Sequence, residues 1–270
     1  MLNVRKIAFI GGGNMAEAIM RGLLREDAAV GICVAEISPK RRDELDAQFP
    51  DVRVVADAAE AAQWGEVVIL AIKPQQAEAA LDLIERVVTP QQVVISIMAG
   101  IPSSKIEATL APGCRVIRAM PNTPALIGAG ATAVCAGRKA TSNDLDLARQ
   151  IFALTGIAVV VEEKLMDAVT ALSGSGPAYV FTFIEALADA GVKNGLPRDV
   201  AAQLAAQTVL GAARMVAETG EHPALLKEKV TSPGGTTIAA LHVLENGSFR
   251  GVVMDAVDAA CHRSKELAGK

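Results

Sequence analysis

Aromatic residues are scarce in this 270-residue sequence, where Phe, Trp and Tyr together make up 3% of the positions. Alanine is abundant instead. A core built on large aromatic rings is therefore excluded, and we expect helices that pack closely through small side chains.

A strong net charge is also absent. The 26 basic and 30 acidic side chains leave a formal charge of -4, and the pI is near 5.5. Such a balance provides no general attraction to phosphate backbones, so nucleic acid is not an expected partner.

Cysteine pairs and long hydrophobic runs are missing as well. The four cysteines, Cys33, Cys114, Cys135 and Cys261, lie far apart and form no CxxC motif, which predicts reduced, buried thiols in a cytoplasmic protein. No cationic start precedes an apolar signal core, and no uninterrupted apolar run approaches about 18 residues. We therefore expect neither export nor membrane insertion.

The N-terminal part contains a glycine-rich turn between a strand and a helix. The apolar run Lys6–Ile10 leads into Gly11-x-Gly13-x-x-Ala16, which matches the dinucleotide-binding fingerprint. Gly11 permits the tight turn, Gly13 lets the backbone approach a pyrophosphate, and Ala16 lets the helix pack closely on the strand. An amphipathic helix and a second strand ending at Glu36 follow, so an ordinary glycine-rich turn is the weaker interpretation.

Glu36 leaves the choice between NAD and NADP open. A carboxylate at this position typically binds the ribose hydroxyls of NAD and repels a 2'-phosphate. Ser38, Lys40, Arg41 and Arg42 follow at once and could neutralise that phosphate. Alternatively, the three basic residues form a solvated first turn of a helix.

Strands and helices alternate up to Glu162, which predicts a Rossmann-like domain with a doubly wound, mainly parallel sheet over residues 1–163. Three strand ends bring small or polar residues to one edge of that sheet: Ala71 with Lys73, Ser96 with Ala99 and Gly100, and Asn122 with Thr123. These residues are candidates to line a bound dinucleotide. The alternatives are a solvated lysine at the strand end for Lys73 and an Asx turn for Asn122.

Helices dominate residues 164–270, where we expect an all-α domain. The helix predicted over Arg198–Glu218 is apolar nearly all round, so it must be buried on several sides. A domain of this size has little interior, and burial by a second copy of the chain is the natural solution. His222, His242 and His262 lack ligand spacing, so we expect no metal site.

The turn Val230–Thr237 leads into a further helix. Its proline, glycines and hydroxyls leave backbone N–H groups free, and the helix start adds unpaired donors and the positive end of its dipole. Such a turn can hold a small anion. A helix break at Ser173–Pro177 offers further hydroxyls, with Ser173 and Ser175 acting either as helix caps or as ligand contacts.

The chain resembles a pyrroline-5-carboxylate reductase over its whole length. The motifs that carry the resemblance are Phe9–Ala16, Ala71–Gln75, Met120–Pro124, Leu172–Tyr179 and Val230–Glu245, of which the last two are specific to the family. The resemblance implies a helical domain that interlocks with that of another subunit in a homodimer, often assembled further, with the active site completed between subunits. It also implies reduction of 1-pyrroline-5-carboxylate to L-proline, the last step of proline biosynthesis, with NADPH as cofactor and NADH possible.

The resemblance further implies roles for particular residues. Ser232 and the backbone of Gly234, Gly235 and Thr236 would hold the substrate carboxylate, and Thr237 would hydrogen-bond the ring nitrogen. The dinucleotide would be lined by Asn14, Met15, Ala71, Lys73 and Asn122. The family often carries a hydroxyl or a basic residue where Glu36 stands, so Glu36 is a departure from its pattern.

The expected chemistry requires no strong acid. The imine is basic enough to bind as an iminium ion at neutral pH, so Thr237 fits an orienting partner better than a general acid, because the pKa of a hydroxyl is far from 7. A 3-hydroxyacid dehydrogenase would need a lysine four residues after Gly176, where this sequence has Val180. A related imine oxidoreductase and a non-catalytic dinucleotide-binding regulator are the remaining alternatives, although a regulator has no use for the hydroxyl-lined turn.

Overall fold

The computed structural model describes residues 4–26 and 29–269. The chain forms two compact units, one of Met1–Ser175 with Ala260–Lys270 and one of Gly176–Ala259. The boundary that we predict between residues 163 and 164 follows the change in composition and stays a prediction.

The first unit is built on an eight-stranded sheet. Its strands are β1 Lys6–Ile10, β2 Gly31–Ala35, β3 Arg53–Val55, β4 Val67–Leu70, β5 Val93–Ser96, β6 Arg115–Met120, β7 Gly130–Ala136 and β8 Gly156–Val160. Their order across the sheet is β3-β2-β1-β4-β5-β6-β7-β8. All neighbouring pairs are parallel except β6 with β7, so the predicted doubly wound, mainly parallel sheet is confirmed.

The register of the central strands aligns their carboxyl ends. Ile10 pairs with Ala35 on one side and with Leu70 on the other. The residues that follow these strands, Gly11, Glu36 and Ala71, therefore leave the sheet at the same level. A ligand that lies across this edge meets all three strand ends.

Helices cover both faces of the sheet because side chains alternate along each strand. Ile7 and Phe9 pack in one apolar cluster with residues of α1, Asn14–Glu26. Ala8 and Ile10 pack in the other cluster, on the opposite face. The remaining helices of this unit are α2 Pro39–Gln48, α3 Ala58–Trp64, α4 Ala77–Ile84, α5 Ser103–Thr109, α6 Ser142–Ala153 and α7 Met166–Val169. Each fully buried large apolar side chain contributes roughly 1.5–3 kcal/mol to folding.

The second unit is helical, as predicted. It consists of α8 Gly176–Lys193, α9 Arg198–Thr219, α10 Pro223–Lys229, α11 Thr236–Asn246 and the first part of α12, Phe249–Leu267. Within α8 to α11, all of which the structure describes, the buried residues are Ala188, Ala201 and Ala205. Large apolar side chains stay exposed in the single chain. Helix α9 also has the length and composition of a membrane span, with 11% of the apolar window buried.

All four cysteines are free thiols, as predicted. Cys33, Cys114 and Cys135 are buried, and burial raises the pKa of Cys33 and of Cys135 to about 11. These thiols are protonated near neutral pH and therefore unreactive. Cys261, on α12, is only half-buried, so the expectation of burial is wrong at that position.

Candidate active site

The glycine turn after β1 has the two features that a dinucleotide needs. Gly11 has a φ of 99°, and a Cβ there would lie 2.6 Å from the carbonyl oxygen of Ala71. Only glycine fits this position without strain. A Cβ on Gly13, in contrast, would meet no atom within 4 Å. The backbone of Gly13 thus borders open space into which a pyrophosphate fits.

The N-terminus of α1 faces the same turn. Asn14 begins the helix and Met15 follows, and the N–H groups of a first helical turn have no acceptor within their helix. Asn14 is exposed, whereas Met15 is half-buried and packs against the apolar cluster around Phe9. This end of α1 provides donors and a positive dipole for phosphate oxygens.

The carboxylate of Glu36 is fixed where β2 ends. Its Oε2 accepts a hydrogen bond of 3.0 Å from the N–H of Gly12, and its Oε1 accepts one of 2.9 Å from the N–H of Ser38. Ser38 is the N-cap of α2, and its hydroxyl accepts from the N–H of Arg41 at 3.4 Å. Glu36 therefore lies at the carboxyl edge of the sheet, and both of its carboxylate oxygens are oriented by backbone N–H groups.

The basic residues after Glu36 do not behave alike. Arg41 donates to the carbonyl oxygen of Gly12 at 2.8 Å and to Glu17 at 2.7 Å. Arg42 donates to the carbonyl oxygen of Glu36 at 2.8 Å. Lys40 is exposed. The alternative of a solvated helical turn is thus wrong for the two arginines, which bind protein groups, and the cofactor-binding role of Lys40 stays a prediction.

A cavity of about 330 Å³ lies beside the glycine turn and brings five of the predicted cofactor residues together. These are Gly11, Gly13, Glu36, Ala71 and Lys73. The cavity is also lined by residues that sequence reasoning missed, namely Ile37, Ala56, Ala58, Gln76, Ala79 and Leu83. Ile37 and Leu83 are 76% and 58% exposed although they are large and apolar, as suits a wall for an adenine ring. The positions of Gln76, Ala79 and Leu83 could have been inferred from their spacing, since residues three and four apart lie on one face of a helix.

The other strand ends do not reach this cavity. Ala99 lines a separate cavity of about 200 Å³ together with Ser175. Asn122 makes neither an Asx turn nor an open contact: its Nδ2 donates to the carbonyl oxygen of Ser173 at 3.0 Å, and its Oδ1 accepts from the N–H of Ala131 at 2.8 Å. Asn122 thus ties β6 to β7 and to the segment before α8.

The two serines before α8 have different surroundings. The hydroxyl of Ser173 donates to the carbonyl oxygen of Val169 at 3.0 Å, so it is held inside a π-helical turn, Thr170–Gly174, and caps nothing. The backbone N–H of Ser175 closes that turn on Thr170 at 2.8 Å. The Ser175 side chain is half-buried at the cavity that it shares with Ala99.

In the second unit, the turn between α10 and α11 presents backbone donors, as predicted. Gly235 is the N-cap of α11 and has no side-chain cap, and the first bond into the helix runs from Ala239 to Gly235. The N–H groups of Thr236 and Thr237 therefore have no intrahelical acceptor. Gly234 has a φ of 66°, in the region that favours glycine.

One donor of this turn differs from expectation. The N–H of Gly235 donates to the carbonyl oxygen of Ser232 at 3.1 Å, inside the turn, so the free amides are those one and two residues later. Ser232 is exposed, Thr237 is half-buried, and the Ser232 hydroxyl lies where a Cβ on Gly235 would be. An open cavity of about 680 Å³ adjoins Gly234 and Gly235, but Ser232, Thr236 and Thr237 do not line it.

The histidines form no cluster, although His242 lines the cavity beside Gly234 and Gly235. His222 accepts from the N–H of Ala224 at 3.2 Å as the N-cap of α10, and His242 bonds Asn246 along α11. Across residues 4–26 and 29–269 no three His, Cys, Asp or Glu side chains are grouped as metal ligands. The first unit can therefore bind a dinucleotide, and the second unit can bind an anion.

Two family models match the chain. Residues 163–267 match the family described as pyrroline-5-carboxylate reductase dimerisation, and residues 6–100 match the family described as NADP oxidoreductase, coenzyme F420-dependent. The first match covers the apolar helices of the second unit, which is thus a dimerisation region. The second match covers the glycine turn and Glu36.

Whole-chain relatives agree with these models. The pyrroline-5-carboxylate reductases of Synechocystis sp. and Escherichia coli are 49% and 42% identical to this chain, and each alignment covers 98% of the chain and 99% or 98% of the relative. The solved pyrroline-5-carboxylate reductase of Coxiella burnetii has a TM-score of 0.92 at 39% identity and covers 98% of this chain and 99% of its own. The Plasmodium falciparum enzyme, solved with NADP bound, has a TM-score of 0.87 at 34% identity and covers 99% of both chains. The chain belongs to the pyrroline-5-carboxylate reductase family.

Proposed function

We propose that this protein reduces 1-pyrroline-5-carboxylate to L-proline with a hydride from NAD(P)H, the last step of proline biosynthesis. The observation that carries the proposal is full-length identity of 40–49% to relatives that bear this enzyme's name. The glycine turn with open space at Gly13 supports the cofactor, and the unpaired donors at the start of α11 support an anionic substrate.

The dinucleotide side of the reaction falls to the first unit. The backbone around Gly13 and the N-terminus of α1 hold the pyrophosphate, and the cavity bounded by Ile37 and Leu83 holds the adenosine. The reduced nicotinamide, when bound, supplies the hydride. The protein's contribution is therefore to position that ring and to orient the carbon that receives the hydride.

The substrate side falls to the turn before α11. A carboxylate next to the N–H groups of Thr236 and Thr237 gains two charge-assisted hydrogen bonds and the positive end of the helix dipole. Ser232 adds a hydroxyl. The Thr237 hydroxyl, half-buried, orients the ring nitrogen. Since the iminium form already carries the proton, this group needs no acidity of its own.

Dimer formation follows from the second unit. Leu204, Leu210 and Met215 of α9 are 55%, 52% and 50% exposed in the single chain, within a region that matches a dimerisation family. Monomeric proteins rarely expose large apolar side chains together, and a second copy of the chain covers them here. Further association of the dimers and a cytoplasmic location complete the proposal.

The direct test is turnover. Purified protein is expected to oxidise NADPH or NADH, followed at 340 nm, only when 1-pyrroline-5-carboxylate is added. Binding of the dinucleotide without turnover would favour a non-catalytic regulator. If the protein neither binds the dinucleotide nor turns over the substrate, the proposal is wrong.

Thr237→Ala tests the proposed orienting role. Loss of one hydrogen bond to a charged group is expected to lower kcat/KM roughly 10- to 100-fold, while dinucleotide affinity stays unchanged. Thr237→Ser is expected to recover most of the rate because it keeps the hydroxyl. Thr231→Ala is the matched control, since the Thr231 hydroxyl donates to the carbonyl oxygen of Lys227 at 2.7 Å and is not offered to substrate. Equal rates for Thr237→Ala and wild type would remove Thr237 from the site.

A further inference from the structure

We infer that this enzyme selects NADH over NADPH, and that the carboxylate of Glu36 makes the selection. The inference rests on the proposed function only in taking the cavity beside Gly11 as the adenosine site. Four observations carry it: the orientation of Glu36, the use of two donors at the start of α2, the bonds of Arg41 and Arg42, and the distance of Lys73, the cation that lines the cavity.

The orientation of Glu36 is fixed by two backbone amides. One carboxylate oxygen is held by Gly12 and the other by Ser38, at 3.0 and 2.9 Å, and Glu36 lines the cavity. Because these donors belong to the glycine turn and to the start of α2, the carboxylate cannot swing away without breaking both bonds. It is thus preorganised to accept hydrogen bonds from ribose hydroxyls.

Two of the donors that could otherwise bind a 2'-phosphate are already in use. A helix N-terminus attracts an anion, but at α2 the N–H of Ser38 donates to Glu36 and the N–H of Arg41 donates to the Ser38 hydroxyl. Of the two residues between them, Pro39 has no N–H, and the N–H of Lys40 has no acceptor within the helix. The anion that this helix end attracts is therefore the side chain of Glu36 itself.

The two arginines that follow are also committed. Arg41 bonds the carbonyl oxygen of Gly12 and forms ion pairs with Glu17 at 2.7 Å and Glu44 at 3.2 Å. Arg42 donates to the carbonyl oxygens of Glu36 and Ile37 at 2.8 and 3.0 Å. To bind a phosphate, Arg41 would have to give up bonds that the folded chain already makes. Both bonds of Arg42 run from Nη1, so they hold one of its nitrogens on backbone carbonyls.

The cation that lines the cavity is Lys73, and it stands beyond the end of β4. In the sheet order, β4 is two strands away from β2, which places the two strand ends roughly 10 Å apart. At that separation salt screens the attraction between exposed charges. A 2'-phosphate, which brings about 1.5–2 negative charges, would thus lie beside the Glu36 carboxylate, with Lys40 and Arg42 at the solvent-facing start of α2 as screened counter-charges. We expect at least about tenfold weaker binding of NADPH than of NADH, given the cost of juxtaposed like charges.

Equilibrium binding and turnover test this inference together. The fluorescence of each reduced dinucleotide is titrated with the protein in the absence of substrate, and kcat/KM is then measured with each cofactor. Wild type is expected to bind NADH at least about tenfold more tightly and to show the same preference in KM rather than in kcat. NADPH binding that equals or exceeds NADH binding would overturn the inference.

Variants at position 36 provide the second arm. Glu36→Ser and Glu36→Gln both remove the charge, and Glu36→Ser also releases the Gly12 and Ser38 amides, so the ratio of NADPH to NADH affinity is expected to rise at least about tenfold. Asp43→Asn is the matched control: it removes one negative charge from exposed surface on α2, outside the cavity, and is expected to leave the ratio unchanged. A ratio that moves equally in Asp43→Asn would assign the preference to general charge and contradict a specific role of Glu36.

The inference and the proposed function fail in different ways. Tight NADH binding without turnover of 1-pyrroline-5-carboxylate would remove the proposed reaction and leave the cofactor preference standing. Turnover that runs best with NADPH would confirm the reaction and remove the preference.

Discussion

Replacing Glu163 by alanine removes a carboxylate that joins three parts of the first unit. Glu163 opens the short 3₁₀ turn Glu163–Leu165 after β8. It accepts hydrogen bonds from the N–H and the hydroxyl of Ser103 at 2.7 and 2.6 Å, and from Arg118 at 3.0 Å. Ser103 begins α5, and Arg118 lies in the middle of β6. The substitution therefore leaves a guanidinium and a helix start without this partner.

The size of the expected stability loss follows from the burial of the two side chains. The Arg118 side chain is 4% exposed and the Glu163 side chain is 31% exposed. Removing one member of a buried pair costs about 3–5 kcal/mol, because the other charge stays buried. Since water reaches Glu163 in part, we expect a loss of about 2–3 kcal/mol in the free energy of unfolding. The melting temperature should fall by roughly 4–10 °C.

The effect also depends on pH. Burial raises the pKa of Glu163, but the bonds from Ser103 and Arg118 outweigh burial and leave that pKa below its ordinary value of 4.5. A group whose pKa is lowered on folding stabilises the folded state above its unfolded pKa and loses this effect as the pH falls through its folded pKa. The stability difference between wild type and Glu163→Ala is therefore expected to be full at pH 7 and to narrow as the pH falls below 4.5.

Urea denaturation of wild type and four variants tests this reasoning. Glu163→Ala is compared with Arg118→Met, with the double variant and with Glu162→Ala. Glu162 pairs with Lys164 at 2.5 Å, but both side chains are at least 70% exposed, so a change of no more than about 0.5 kcal/mol is expected. The double variant should be more stable than Glu163→Ala because no unpaired charge stays buried. The argument would be refuted if Glu162→Ala and Glu163→Ala lost equal free energies of unfolding, or if the double variant were less stable than Glu163→Ala.

Three further substitutions have expected outcomes. Thr132 on β7 is 1% exposed, and its hydroxyl has no hydrogen-bond partner among the described residues. Thr132→Val should therefore raise the free energy of unfolding by about 1 kcal/mol in urea denaturation. A lower free energy of unfolding would mean that the hydroxyl is hydrogen-bonded. Gly11→Ala places a methyl 2.6 Å from the Ala71 carbonyl oxygen at a φ of 99°, so the free energy of unfolding should fall by about 2–4 kcal/mol. The methyl of Gly13→Ala meets no atom within 4 Å, so this variant should keep the melting temperature of wild type. Its affinity for the dinucleotide should nevertheless fall at least about tenfold. Normal dinucleotide binding by Gly13→Ala would exclude its backbone from the pyrophosphate site.

The sequence predicted the sheet and the glycine turn because both depend on local patterns. Apolar runs such as Lys6–Ile10 and the spacing of Gly11 and Gly13 carry their meaning within a few residues. The free amides at the start of α11 were predictable for the same reason.

Contacts between distant residues were not predictable in this way. The Glu36 carboxylate is held by Gly12, 24 positions earlier, and Asn122 is held by Ser173, 51 positions later. The pairing of Arg41 with Glu17 likewise depends on how α1 and α2 lie on the sheet. Sequence patterns identify which residues have the right chemistry, and only the fold decides which of them are already occupied by other partners.

The sparse interior of the second unit has a consequence for how the protein must be handled. Helices α8 to α11 bury three alanines within the chain while Leu204 and Leu210 stay exposed, so little apolar burial is available before two chains meet. Folding of this unit and association of the chains are then one equilibrium governed by mass action, and apparent stability rises with protein concentration. A melting temperature or a specific activity measured for this protein is defined only together with the concentration at which it was taken.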